Sequence, residues 1–239
     1  MRKLKRKLKK ITNNIMSKIV HPYSHRLVIL RDWRSRWFAG DKKYQSLLKG
    51  DVLLREYFAK RLKGFYVAGI EIERSQKTLR IIIRTSRPGM LIGRNGEGSI
   101  KLKADVLKLL KKKSLDIPPE VKIDIVEVSN PDADAKIIAH TIIEALEKRT
   151  PFRRVMKQVV EKVMSVRGVE GVRIVLSGRL GGAEIARTED MKKGSIPLQT
   201  FRADIDYTTE RASLPYGDIG IKVWVYKGQI FDKDKSKAK

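Results

Sequence analysis

The sequence contains no cysteine. That excludes disulfides, thiolate metal sites and a cysteine nucleophile, and it fits a reducing compartment. No apolar run approaches the roughly 20 residues of a membrane-spanning helix, which excludes insertion in that form. Carboxylates are scarce: 27 Asp and Glu stand against 53 Lys and Arg, a formal net charge of +26 in 239 residues. Such an excess opposes compaction by self-repulsion unless an anionic partner neutralises it. Nucleic acid is the leading candidate, because phosphate contacts supply most of its non-specific affinity. An anionic membrane surface is the rival. The length suffices for one large or two ordinary domains with real cores.

The basic excess begins at once. Residues 1–22, MRKLKRKLKKITNNIMSKIVHP, begin as a basic arm in which Leu4, Leu8 and Ile11 recur at helical spacing. This suits either a short amphipathic helix on an anionic surface or a solvated tail. The arm lacks the continuous apolar stretch and small-residue cleavage site of a secretory signal, and serine is scarce for a transit peptide. Residues 26–40, RLVILRDWRSRWFAG, follow. Trp33 and Trp37, four apart, would share one face of a helix, as core or as a stacking surface for bases. His21 and His25 have the same spacing, but Pro22 intervenes and no carboxylate pair frames them, so they are read as structural and no metal is expected.

From Asp51 the pattern becomes regular. Asp51 would cap a helix to about Leu62, with Val52, Tyr57 or Phe58 and Leu62 inward and Gly64 ending it. Strands are expected over Tyr66–Arg74 and the isoleucine-rich Thr78–Thr85. Pro88 opens a short helical turn. Then comes Gly93-Arg94-Asn95-Gly96, a Gly-x-x-Gly loop ahead of a basic helix, Glu97–Lys112, whose buried stripe would be Ile100, Val106, Leu107 and Leu110. Pro118-Pro119 breaks the chain before a strand over Val121–Val128. Glycine at both ends of the loop lets backbone turn sharply and approach a ligand closely. The unpaired N–H groups at the start of the next helix, with its dipole behind them, suit a phosphate. Arg94 adds a permanent charge, and Asn95 both donates and accepts.

A boundary follows at Ser129-Asn130-Pro131-Asp132. Asn130 would cap a helix to about Arg149, with Pro131 at its first position. Phe152, Val155, Met156, Val159, Val160 and Val163 then follow the i, i+3, i+4, i+7 rule, so one face of this second helix is buried. Arg153, Arg154 and Lys157 project together on the other side, either as a solvated face partly paired with Glu161 or as phosphate contacts. In so basic a chain phosphate contact is favoured. After a strand over Val172–Leu176 comes SGRLGGAEIAR, a glycine-rich connection between strands. It lacks the Lys-Ser or Lys-Thr of a nucleotide P-loop. Arg179 and Arg187 there would contact RNA or form local ion pairs. Phe201–Thr208 and Ile219–Tyr226 would complete a sheet, turning at Pro215-Tyr216-Gly217.

The order helix, strand, strand, short helix, Gly-x-x-Gly, helix, strand resembles a type II KH domain, a module whose loop clamps a short run of nucleic-acid backbone. VHP, WRSRWFAG, RPGMLIGRNGE, DAKIIA, FRRVMK, SGRLGGAEIART and RADIDYTT occur in order between about Val20 and Ile230. Together they resemble the family of small-subunit ribosomal protein number three, in its bacterial or organellar form. The resemblance implies an α+β chain. A basic arm (residues 1–19) and an N-terminal segment (20–50) would precede a type II KH domain, αββααβ (51–129). A C-terminal α/β domain of two helices and a four-stranded sheet (130–230) and a polar tail (231–239) would follow.

It also implies a structural, non-enzymatic role in the head of the small ribosomal subunit, cytoplasmic or organellar, with no cofactor. Small-subunit ribosomal RNA and messenger would be bound, the latter at the channel by which it enters, where Arg153, Arg154 and Lys157 would disfavour re-pairing. Small-subunit proteins ten and fourteen would be neighbours, with four and five completing the channel mouth. Two departures stand out. Family members usually begin near the Val-His-Pro element, so either translation starts at Met16 or the residues before it are a basic extension that reaches RNA. The loop carries Arg94-Asn95 where members often have two basic residues, which implies a weaker phosphate grip. Two other classes compete: a metal-dependent nuclease built on Asp204 and Asp206, for which no third acidic ligand is evident, and a free KH regulator of messenger.

Overall fold

Two four-stranded sheets account for the hydrophobic pattern. The computed structural model describes residues 20–113 and 119–231; Met1–Ile15, Met16, Pro118 and most of the polar tail lie outside the described residues. The N-terminal half runs α1 (Pro22–His25), β1 (Ser35–Arg36), α2 (Asp41–Arg61), β2 (Val67–Arg74), β3 (Thr78–Thr85), α3 (Pro88–Ile92), a 3-10 turn (Arg94–Gly96), α4 (Glu97–Lys112) and β4 (Glu120–Glu127). The sheet order is β1-β2-β3-β4, with β2 and β3 antiparallel and the outer pairings parallel. Alternation in β3 buries Leu79, Ile81 and Ile83 against Leu54 and Phe58 of α2 and Leu102, Val106 and Leu110 of α4. From α2 onward this is the αββααβ order of a type II KH domain.

Three expectations for this half are corrected. Helix α2 starts at Asp41, so Asp51 is no cap but an interior residue, 2% exposed. Its carboxylate receives the Arg74 guanidinium at 2.6 Å, the Trp37 indole N–H at 2.7 Å and the Ser35 hydroxyl at 3.2 Å. A buried carboxylate needs such partners to offset lost hydration. Trp33 and Trp37 share no helix: they flank β1, the two-residue strand Ser35–Arg36 that pairs with β2, and Trp37 donates to Asp51 while Trp33 stays exposed. In the helices, Val52 and Ile100 are exposed, and Leu54 and Leu102 take the core positions. Leu102, Val106 and Leu110 stack at i, i+4, i+8, which turns Ile100, two residues earlier, to the opposite side.

The C-terminal half contains α5 (Ala135–Glu147), α6 (Phe152–Met164), β5 (Gly171–Gly178), β6 (Arg187–Gly194), β7 (Ala203–Leu214) and β8 (Gly217–Gln229). Its sheet is antiparallel in the order β6-β5-β8-β7. Helices α5 and α6 cover one face through Ile138, Ile142, Val155, Val159 and Val163, opposite Ile174, Leu176, Ile221 and Val223. Ala203, Ile205, Trp224 and Tyr226 gather on the other face with Ile196 and Leu198. The cap of α5 is Asp134, not Asn130: its carboxylate accepts from the Lys136 and Ile137 amides at 2.9 and 3.2 Å, after a 3-10 turn at Pro131–Ala133. Strand β6 is the fourth strand of the expected sheet. Its residues, RTEDMKKG, show no apolar alternation because it is an exposed edge, guarded by charges.

The N-terminal segment straps the halves together. Strand β1 extends the KH sheet, whereas Arg26, fully buried, donates to the carbonyls of Ala203, Leu198 and Thr200 at 2.7, 2.9 and 2.9 Å. His21 and His25 pack on Tyr207 and Phe201, the structural role expected of them. Arg31 pairs with Asp204 at 2.6 Å. Directly between the halves, the Tyr66 hydroxyl donates to Glu144, and Lys63 meets Glu147 at 3.2 Å. Beside these contacts lies a cavity of about 510 Å³ whose lining includes Lys136, His140 and Glu210.

Asp51→Ala strands the Arg74 charge in the interior and should cost about 3–5 kcal/mol, read from urea unfolding. The paired change Asp51→Leu with Arg74→Met should cost clearly less; equal costs would contradict the ion-pair account. At the interdomain cavity, burial lowers the His140 pKa below the usual 6.5, with Glu210 opposing and Lys136 and Lys63 adding to the shift. The folded state thus keeps His140 neutral while the unfolded chain protonates it. Its contribution is complete above the unfolded pKa and is lost as pH falls below it toward the folded value. His140→Gln should therefore flatten the loss of stability between about pH 7 and 5.5, though His21, lowered in the same direction, keeps part of it.

Candidate nucleic-acid interface

The Gly-x-x-Gly loop stands between α3 and α4, with Arg94 and Asn95 both exposed. Gly93 and Gly96 have φ of 69° and 79°, the left-handed region where a side chain is strained, and Asn95 joins them at 52°. Asparagine is among the residues that tolerate this region best. Among the described residues no side chain caps α4, so its first-turn amides have no side-chain acceptor there. The helix dipole adds partial positive charge at the same place.

A residue that sequence reasoning passed over sets this geometry. A Cβ on Gly98 would lie 2.2 Å from the Leu91 carbonyl oxygen and 2.8 Å from that of Ile92. The start of α4 therefore crosses the end of α3 in backbone contact, and only glycine fits. The available signal was a third glycine, two residues beyond the loop.

Helix α6 offers a second cationic surface. Val155, Met156, Val159, Val160 and Val163 are buried, and Arg153, Arg154 and Lys157 are exposed together, as the periodicity requires. The carboxylate that meets this face comes from Glu189 of β6 rather than from Glu161 of the same helix. Its Oε1 lies 3.2 Å from Arg153 Nη2 and 3.8 Å from Arg187 Nε. The Arg153 and Arg187 guanidinium carbons sit 5.7 and 5.8 Å from the centroid of the Phe152 ring. Arg154 and Lys157 have no ion-pair partner among the described residues.

Arg179 sits differently. Its guanidinium donates to the carbonyls of Ala183 at 2.9 Å and Tyr216 at 3.1 Å, closing the glycine-rich connection onto the β7–β8 turn. Asp204 and Asp206, the pair on which a nuclease reading rests, serve the fold: Asp204 holds Arg31, and Asp206 accepts from the Ala135 amide at 3.0 Å. No group of three or more His, Asp or Glu residues that could hold a metal ion occurs among the described residues. No helix among them is long and apolar enough to cross a membrane.

Residues 53–133 match the KH domain family, and residues 142–225 match the family described as Ribosomal protein S3, C-terminal domain. A small ribosomal subunit protein uS3 of Exiguobacterium sibiricum is 45% identical over 221 residues, covering 92% of this chain and 98% of that protein. The protein of the same name from Clostridium novyi is 44% identical over 220 residues, 92% of this chain and 96% of its own length. That from Alcanivorax borkumensis is 46% identical over 215 residues, 90% of each. The chain belongs to the uS3 family. Family membership and the KH match make this a structural protein of the small ribosomal subunit with an RNA-binding KH domain, not an enzyme.

Gly98→Ala should force α4 off α3, cost about 1–3 kcal/mol by overpacking, and disturb the loop. Thermal unfolding followed by circular dichroism checks the first effect. An unchanged midpoint would contradict the close approach.

Proposed function

We propose that the chain is a structural component of the small-subunit head that binds small-subunit ribosomal RNA and lines the channel by which messenger enters. The observation that carries this reading is α6: one face is locked in the C-terminal core, so Arg153, Arg154 and Lys157 are held outward on a rigid element. In this reading they grip single-stranded phosphates and disfavour re-pairing, without nucleotide hydrolysis by this chain. Gly93, Arg94, Asn95 and Gly96 hold a second stretch of RNA backbone through the α4 amides and the Arg94 charge. Arg187 is a further candidate for ribosomal RNA contact, and Arg179 supports the surface beside it. Small-subunit proteins ten and fourteen are the proposed neighbours, with four and five at the channel mouth, in a cytoplasmic or organellar ribosome.

The test replaces Arg153, Arg154 and Lys157 together by alanine. Subunit assembly should survive, because α6 keeps its apolar face, while translation through a stable messenger hairpin slows. Undiminished passage through the hairpin would remove the unwinding role. Failure of the subunit to assemble would show that these residues serve ribosomal RNA instead.

A further inference from the structure

Strand β6 places Arg187, Glu189 and Met191 opposite Gly178, Leu176 and Ile174 of β5, on the sheet face that α5 and α6 cover. At this edge Glu189 reaches past the core to the rim of α6. Two cations from different elements, Arg153 and Arg187, converge over the single ring of Phe152. Left alone they would repel one another. The Glu189 carboxylate, 31% exposed, holds them together, with one oxygen facing both guanidinium groups at 3.2 and 3.8 Å. Exposed ion pairs contribute little to stability, so stability alone does not account for the arrangement. The same arrangement suits a phosphodiester oxygen: one guanidinium hydrogen-bonded to the anionic oxygen, a second 3.8 Å from it, and an aromatic ring beside both.

We propose that Glu189 occupies a phosphate subsite and acts as a built-in competitor for RNA at the α6 surface. This rests on the reading that α6 contacts single-stranded RNA. A phosphodiester carries the same unit charge as the carboxylate and takes its place between Arg153 and Arg187 as Glu189 swings toward solvent. Arg154 and Lys157, which face no carboxylate among the described residues, hold the strand whether or not the subsite is filled. Glu189 thereby weakens and shortens each phosphate contact, which suits a strand that has to move past the surface. Glu189 is a positioning residue that acts through the two arginines.

The experiment measures binding of a fluorescent single-stranded oligouridylate to the full chain by anisotropy over a range of salt. Glu189→Gln should bind about two- to five-fold tighter at low salt. Its salt dependence should be steeper by roughly 0.7 for each further phosphate held. The tighter binding should vanish when Arg153 and Arg187 are both alanine. Asp190→Asn is the control for net charge alone: this neighbour pairs with Arg173 at 2.5 Å, on the other face of the same strand, and should give no comparable increase. Unchanged or weaker binding by Glu189→Gln, an increase that persists without the two arginines, or an equal increase in Asp190→Asn would overturn the proposal. If the Arg153, Arg154 and Lys157 triple variant binds like the parent, the RNA reading of α6 fails. If that variant loses binding while Glu189→Gln binds no tighter, only the competitor role fails.

Discussion

With 27 carboxylates among 53 cations, the chain cannot neutralise itself, and the placement of its few acids decides which cations are left for a partner. Several carboxylates fix arginines that hold the architecture: Asp51 with Arg74 inside the KH half, Asp204 with Arg31 where the strap meets the C-terminal sheet. Glu71 and Glu73 gather Arg36, Arg80 and Arg84 on the outer face of the KH sheet. Arg94, Arg154 and Lys157 have no such partner among the described residues. The electrostatic cost of assembling so basic a chain is thus met locally where the fold needs order and left unmet at Arg94, Arg154 and Lys157, on the two surfaces proposed to bind RNA.

The same division explains why the two halves keep their positions. Arg26 is buried with its donors on the carbonyls of residues 198–203, while β1, a few residues later, is hydrogen-bonded to the KH sheet. A segment shared by both cores resists separation at both ends. The Tyr66–Glu144 and Lys63–Glu147 pairs add a second connection, from the turn between α2 and β2 to α5. The halves that carry the KH loop and the α6 surface are thus joined by two separate sets of contacts.

Much of this was legible where local pattern and tertiary environment agree. The limits of β3 and α4 coincide with the sequence reading because an isoleucine alternation and an amphipathic period each face a single core. The outward face of α6 was legible for the same reason. Asp51 was misread because a capping residue and a buried ion-pair partner look identical until Arg74, 23 residues away, is brought beside it. Strand β6 escaped because an exposed edge needs no apolar face, and Gly98 because a close backbone approach leaves no periodic trace. The resemblance named the family correctly, since long ordered motifs carry information that short patterns lack. It could not reveal that Glu189 stands among the cations of the α6 surface.

The central claim is that this chain is an integral part of the small ribosomal subunit, held by many phosphate contacts at once. Sedimentation of the tagged full-length chain from native lysate, with and without a moderate salt wash, tests it most directly. Contacts made singly weaken steeply with salt, whereas a protein assembled into the particle resists the wash. The account predicts migration with the small subunit that survives the wash. Migration at the top of the gradient, or release on washing, would contradict it and leave a free RNA-binding protein in its place.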